Sequence, residues 1–398
     1  MRNFSIPSNF RKETIDQYAK LNEESTNSRI IETYGQITVG NTLASGRPVS
    51  ILQKIDIKCL SDYISYSMQK GIGFSYTLNA SCLGNKEFSR EGMIEIVSFL
   101  GKLYAAGVRS LTIALPSLIE LVGTLKYDFL IKASVICQIT NPNKAMFFKK
   151  MGVNRLVIDE SLNRRFGVLR DIRDAFGEQV EIIVNSICHK DCVYRMFHYN
   201  EISHDFNINS SENSSIAYYP HRCIKRRYED ISNFIKLTWI RPEDIKYYEN
   251  IGISHFKIQG RQSVLTGDPV SALRYYFDEK YDGNLLELLD LFSPLNSFNI
   301  NIDNSKLDGF VKTFYENPEF CKDNCEKCGY CSSYANKCIN GKESEEVREM
   351  ALKFYSEYDD FSNMVCSAQS EVSATSSGKE LFERLSKNAS LNCDFDLD

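Results

Sequence analysis

Cys188 and Cys192 stand three residues apart within Val180–Asn200, VEIIVNSICHKDCVYRMFHYN, which opens as a buried-strand run and then turns polar. That spacer lets both thiolates reach one metal ion or one cluster. A cubane or a structural zinc takes four ligands, so two more are needed. Cys223 is the natural third. The fourth comes from another loop, and Cys82 in NASCLGNKEF is preferred to Cys137, whose apolar surroundings read as core packing. His189, His198 and Tyr199 lie close in sequence and are candidates for moving protons. Arg241 and Arg261 are candidates for clamping a carboxylate or phosphate through paired hydrogen bonds. Each has a plainer reading as well: His198 as a helix cap, and Arg241-Pro242-Glu243-Asp244 as a helix start with proline in its first turn.

A second constellation is Cys321-x3-Cys325-x2-Cys328-x2-Cys331, with Gly329 easing the turn. Four thiols in eleven residues can wrap one cluster or one zinc without help from the rest of the chain. The first three also match the spacing of radical-SAM enzymes, but there the motif follows the first barrel strand, and here it follows the last.

The bulk composition narrows the class. Of 398 residues, 43% are hydrophobic and 25% charged, and the net charge of −5 gives no global pull toward nucleic acid. No run approaches the roughly 20 apolar residues of a membrane span, and MRNFSIPSNFRKETIDQY lacks a signal-peptide core. The expected location is therefore cytoplasmic, with no membrane partner. Thirteen cysteines in a reducing compartment favour metal or iron–sulfur ligation over disulfides. The chain has no HExxH zinc motif and no GxSxG elbow. A Cys188–His198 protease dyad is conceivable, but a ligating thiolate cannot also be a free nucleophile.

The elements that position these residues follow a repeat. Strand-length runs are expected at Gln36–Gly40, Gly73–Asn79, Ser110–Pro116, Leu130–Gln138, Arg155–Asp159, Glu181–Asn185, Ile235–Arg241 and His255–Gly260. Between them, Glu91–Ala106 places Ile94, Val97, Leu100, Leu103 and Tyr104 on one helical face. "Helix, glycine, β-branched residue, strand" recurs at Gly107, Gly152 and Gly252, the punctuation of βα units. Eight strands without a GxGxxG imply an α/β fold, a (β/α)8 TIM-like barrel with a helical, cysteine-rich C-terminal extension. The expected division is a lead-in over 1–30, the barrel over 31–265, the extension with its cysteine cluster over 266–345, and a charged helix and mobile tail over 346–398. Catalytic groups then fall at the C-terminal ends of strands.

Ile183–Asn200 (IVNSICHKDCVYRMFHYN), Trp239-Ile-Arg-Pro-Glu-Asp-Ile-Lys-Tyr-Tyr-Glu-Asn-Ile-Gly-Ile253 and His255-Phe-Lys-Ile-Gln-Gly-Arg261 together resemble the peptidase U32, or collagenase-like, family over roughly residues 70–335. The stretch near Cys325 fits a branch with an added C-terminal cysteine motif. The resemblance implies a barrel-type domain binding a 4Fe–4S cluster through four cysteines, with Cys188 and Cys192 matching the family's pair and Cys223 a later ligand. It implies oxygen-independent hydroxylation of a small molecule or of RNA bases, with prephenate proposed as oxygen source. A protein partner or electron donor is expected too, since several members work as pairs. Alternatives are an endopeptidase acting on peptides, after the older family label, or a non-catalytic iron–sulfur partner subunit. The sequence departs from the better-known pattern, in which the cysteine pair has a longer spacer after an HGALC-like motif.

Overall fold

The computed structural model describes residues 1–47, 49–205, 218–294, 298 and 300–356. Eight parallel strands close into a barrel in chain order: β1 Arg2–Pro7, β2 Ser28–Gly35, β3 Gly73–Leu78, β4 Ser110–Ile113, β5 Leu130–Ala133, β6 Arg155–Val157, β7 Val180–Ile183 and β8 His255–Lys257. β8 pairs with both β7 and β1, which completes the ring. Helices α1 Lys12–Glu24, α2 Ile57–Gln69, α3 Arg90–Ala105, α4 Pro116–Thr124, α5 Pro142–Lys150 and α6 Phe166–Phe176 follow the first six strands on the outside. α7 Arg195–Asp205 and α8 Tyr218–Glu229 come after β7. The closed ring matches the expected (β/α)8 class.

The glycine punctuation is the local device that turns helix into strand. Gly107, Gly152 and Gly252 adopt φ of 97°, 89° and 83°. At each, the following residue's N–H reaches back five positions: Val108 to Leu103, Val153 to Phe148 and Ile253 to Tyr248, at 3.0–3.1 Å. That is the Schellman closure, and a side chain at the left-handed position would be strained. Asp56, Ser89 and Asn141 cap α2, α3 and α5 by accepting from the first-turn amides.

Three expectations are corrected. The lead-in over 1–30 instead supplies β1 and α1, and β2 lies at Ser28–Gly35 rather than Gln36–Gly40. The run Ile235–Arg241 is no barrel strand: Asn233–Lys236 is helical and β7 pairs directly with β8. On α3, Ile94 faces solvent, whereas Ile96 and Phe99 join Leu100 and Leu103 in the core.

The expected boundaries also cut through elements. Residue 265 falls inside the helix Ser263–Thr266, and residue 345 inside Gly341–Ser356. This last helix braces α8, with Arg348 Nε donating to the Tyr228 carbonyl at 2.8 Å and Tyr355 stacked on Tyr228. The expected tail over 361–398 lies outside the described residues. Among the described residues, no helix is long and apolar enough to cross a membrane.

Candidate active site at the barrel mouth

Side chains alternate along a strand, so residues two apart share the lumen. The lower lumen holds a charged knot of Ser5, Glu32, Lys132 and Glu181, from β1, β2, β5 and β7. Lys132 Nζ pairs with Glu32 and lies 3.2 Å from Glu181, and Ser5 Oγ lies 2.6 Å from Glu32 and 2.5 Å from Glu181. Burial alone would raise the Glu181 carboxyl. Lys132, Lys257 and Arg155 outweigh it and hold the group well below the usual carboxylate range.

Two residues further along seven of the strands come Tyr34, Thr77, Thr112, Ser134, Val157, Ile183 and Lys257, and together they line a cavity at the C-terminal mouth. Its volume is about 60 Å³, and Arg47, Asn79, Tyr199, Gln259 and Arg261 complete the wall. This is the end of the barrel at which such folds place their chemistry. Asn185 fastens two of the strand ends there, accepting from the Gln259 amide at 2.7 Å and donating to the Gln259 and Leu289 carbonyls.

Beyond Tyr199 lies the thiol site. The β7–α7 turn carries Cys188 and Cys192, and α8 brings Cys223 to them. The Cys223 thiol donates to Cys192, and this contact is the main reason Cys192 is drawn down to about 6. Burial opposes the shift, while the Tyr194 amide and Arg195 assist it. Cys223 is correspondingly pushed up to about 11, by that bond and then by burial. Cys188 is pushed up to about 12 by burial, with Glu160 beside it adding to the rise. His189 Nε2 lies 3.0 Å from the Cys223 carbonyl oxygen, and Arg227 Nη2 is 4.0 Å from its sulfur.

Arg195 anchors this turn. Its buried guanidinium donates to Asp159 at 2.6 Å, to the His189 carbonyl at 3.0 Å and to Ser161 at 3.3 Å. It therefore ties the β6–α6 turn to the one bearing the cysteines.

The other candidates divide. Tyr199 is a wall common to the cavity and the thiol site, and Arg261 lines the cavity. His198 stacks on Tyr199, and burial, with Arg47 nearby, lowers it to about 4, so it is neutral at pH 7. It makes no pair with Cys188, so the conceived dyad is not formed. Cys82 is not brought to the trio. Its sulfur accepts from the Gly84 amide at 3.3 Å, and neighbouring Ser81 is tied to Asn200 and Ser203, well along α7. Cys137 donates to the Ala114 carbonyl and is pushed up to about 12 by burial, as core packing implies.

Arg241 does not reach the mouth. It donates to Asp244 at 2.8 Å and to the Asn304 carbonyl at 2.8 Å, stapling the extension to the barrel, with Pro242 opening a short helix. Arg241→Lys keeps the charge but loses the fork. It is expected to lower stability by about 2 kcal/mol and to leave ligand binding at the mouth unchanged, measured by urea denaturation beside a binding titration.

Cys321, Cys325, Cys328 and Cys331 line one cavity of about 220 Å³ outside the barrel. Asp323, within the motif, pairs with Arg165 and with Lys190, the residue midway between Cys188 and Cys192. The two constellations thus touch through one carboxylate. Among the described residues, no three His, Cys, Asp or Glu side chains converge as ligands of a metal ion.

Sequence reasoning missed Lys132, Glu181, Lys257, Arg47 and Glu160. The first three were visible as lone charges inside apolar strands (LIKA, VEII, HFK), a pattern that marks a polar lumen. For Arg47 and Glu160 no such signal exists.

The sequence model of peptidase family U32 matches residues 39–210, a span that includes the turn with Cys188 and Cys192. A Methanocaldococcus jannaschii protein named as an uncharacterized protease is 29% identical over 345 residues, which is 86% of this chain and 100% of that one. A solved U32 peptidase shares 17% identity at a TM-score of 0.47, covering 65% of this chain and 91% of its own. A Thermobaculum terrenum O-GlcNAc hydrolase mutant shares 10% at a TM-score of 0.34, over 91% of this chain and 96% of its own. The chain is thus similar to peptidase family U32 across residues 39–210, and to this relative across the relative's whole length.

Proposed function

We propose that this chain is an iron–sulfur enzyme whose active site is the barrel mouth, with Cys188, Cys192 and Cys223 as ligands of a 4Fe–4S cluster. The reaction class is oxygen-independent hydroxylation or a related redox modification of a small molecule, a peptide or an RNA base. The observation that carries the reading is that Cys223 of α8 contacts Cys192 of the β7–α7 turn, with Cys188 near enough to act on both by charge, behind the wall of the lumen cavity. The donor set fits such a group in kind. Sulfur ligands prevail, and Arg195 and Arg227 supply the positive charge that thiolates need. With Cys82 remote, the fourth position falls to a non-cysteine ligand or to substrate. A cluster would supply electrons or a Lewis-acidic iron. Around it, His189 steadies Cys223, Arg195 fixes the turn, and Tyr199 separates the thiols from the cavity.

The C-terminal cysteines would hold a second cluster or a zinc ion, acting as a relay or a staple. Asp323 is the link through which that motif would bear on the Cys188–Cys192 turn.

Purification without oxygen tests the reading. The protein is expected to be coloured, with broad visible absorbance that Cys188→Ser and Cys192→Ser each diminish in step with lost iron. Colourless protein carrying only zinc would sink the redox chemistry.

A second reading is supported by the low Cys192 thiol and by the protease name of the relative. In a metal-free chain, Cys192 would be a nucleophile for peptide bonds. Cleavage of an unstructured peptide, abolished by Cys192→Ser and undiminished by iron chelation, would favour it over the cluster.

A further inference from the structure

The cations at the barrel mouth differ from those elsewhere in the molecule. Lys132, Arg195 and Arg241 are buried and each is ion-paired to a carboxylate. Arg261 is equally buried, at 8% exposure, yet its partners are neutral: Gln36 Oε1 at 2.7 Å, and Ser45 Oγ and Thr77 Oγ1 at 3.1 Å. All three contacts fall on Nη1. Among the described residues, Nε and Nη2, the edge that forks a carboxylate, donate to nothing.

Arg47 shares this cavity and, among the described residues, donates only to the Gly46 carbonyl. Lys257 lies with its ammonium 3.7 Å above the Tyr34 ring and, among the described residues, makes no side-chain hydrogen bond. Gln36, which accepts from Arg261, leaves its own Nε2 donor buried and unsatisfied. Among the described residues, no aspartate or glutamate lines the cavity. A buried charge with no counter-charge is costly, and a fold keeps one when a ligand supplies the opposite sign.

We propose that the barrel mouth is a carboxylate-binding subsite, in which Arg261 forks the ligand's carboxylate while Arg47 and Lys257 complete the positive field. The planar Nε–Nη2 edge matches a carboxylate bidentately. Burial pushes Arg261 down to about 9, with Arg47 adding to the shift, and pushes Lys257 down to about 8. The Arg261 shift expresses a site short of negative charge, whereas Lys257 is lowered by burial against the pull of Glu181 below it. The subsite would seat the anionic end of a substrate against Tyr199, with the thiols on the far side of that ring.

The inference does not rest on the cluster, because binding can be read without turnover. Thermal unfolding of the full chain would be followed against sodium acetate and sodium malonate, with sodium phosphate and sodium chloride at matched ionic strength. Saturable protection is expected from the carboxylates and not from chloride, weakened about ten- to hundredfold in Arg261→Gln. The less buried Arg47→Gln covers the case in which Arg261→Gln fails to fold, and should weaken binding several-fold. Acetate protection should be the same whether or not the chain carries iron, which separates this proposal from the cluster reading. Equal protection by chloride, stronger protection by phosphate, or undiminished binding in both arginine variants would overturn it.

Discussion

Lys132→Met is expected to destabilise the fold by about 3–5 kcal/mol, since removing one partner leaves the buried Glu32 and Glu181 without their closest counter-charge. Urea denaturation at pH 7 measures the loss. The triple change Lys132→Met, Glu32→Gln, Glu181→Gln should recover only part of it, because Arg155 and Lys257 then lose the carboxylates that face them. The pH dependence has a definite sign. Glu32 and Glu181 are both held below their ordinary range in the folded chain. The stability they confer is present above the unfolded carboxylate pKa of about 4.5 and is lost as pH falls through and below it. Lys132→Met should flatten that acid limb. A variant as stable as the wild type, or with the same acid slope, would show that the knot is not what organises the lumen.

Arg195→Met should be as costly, again about 3–5 kcal/mol, because it strands Asp159 and Glu160 in the interior. Its functional effect should exceed its effect on stability. The lost bond to the His189 carbonyl frees the turn that holds Cys188 and Cys192, so folded Arg195→Met should bind less iron than Arg241→Lys compared at equal folded fraction. Equal iron in the two would make Arg195 a structural residue alone.

Much of the barrel was legible because its punctuation is local. Helix, glycine and β-branched residue spell one backbone closure each time, and the strand that follows needs no distant information. The first strand was hidden because RNFSIP puts Asn3 and Ser5 toward a polar lumen and only Phe4 and Ile6 into the outer core. A short strand with half its side chains polar looks like a solvated terminus. The run IKLTWIR misled for the opposite reason. It is apolar because Trp239 packs on Phe310 of the extension, not because it joins the sheet. One missed strand, one displaced strand and one false strand left the total at eight.

The site was legible in its cysteines and not in its charges. Cys188, Cys192 and Cys223 declare themselves by type, and the fold sets Cys223 of α8 against Cys192 of the β7–α7 turn. Cys82 fell away because the turn carrying it docks further along α7. Arg241 and Arg261 look alike in sequence, each near the end of an apolar run. Arg241 finds its aspartate three residues on, whereas only tertiary structure leaves Arg261 facing an open cavity.

The central claim is that the Cys188–Cys192–Cys223 site holds a cluster of iron and sulfide. Iron and acid-labile sulfide should be counted per chain in oxygen-free wild type and in the triple variant Cys188→Ser, Cys192→Ser, Cys223→Ser. The account predicts that the two preparations differ by about four iron and four sulfide per chain, whatever the C-terminal cysteines hold. Equal counts in the two would contradict it.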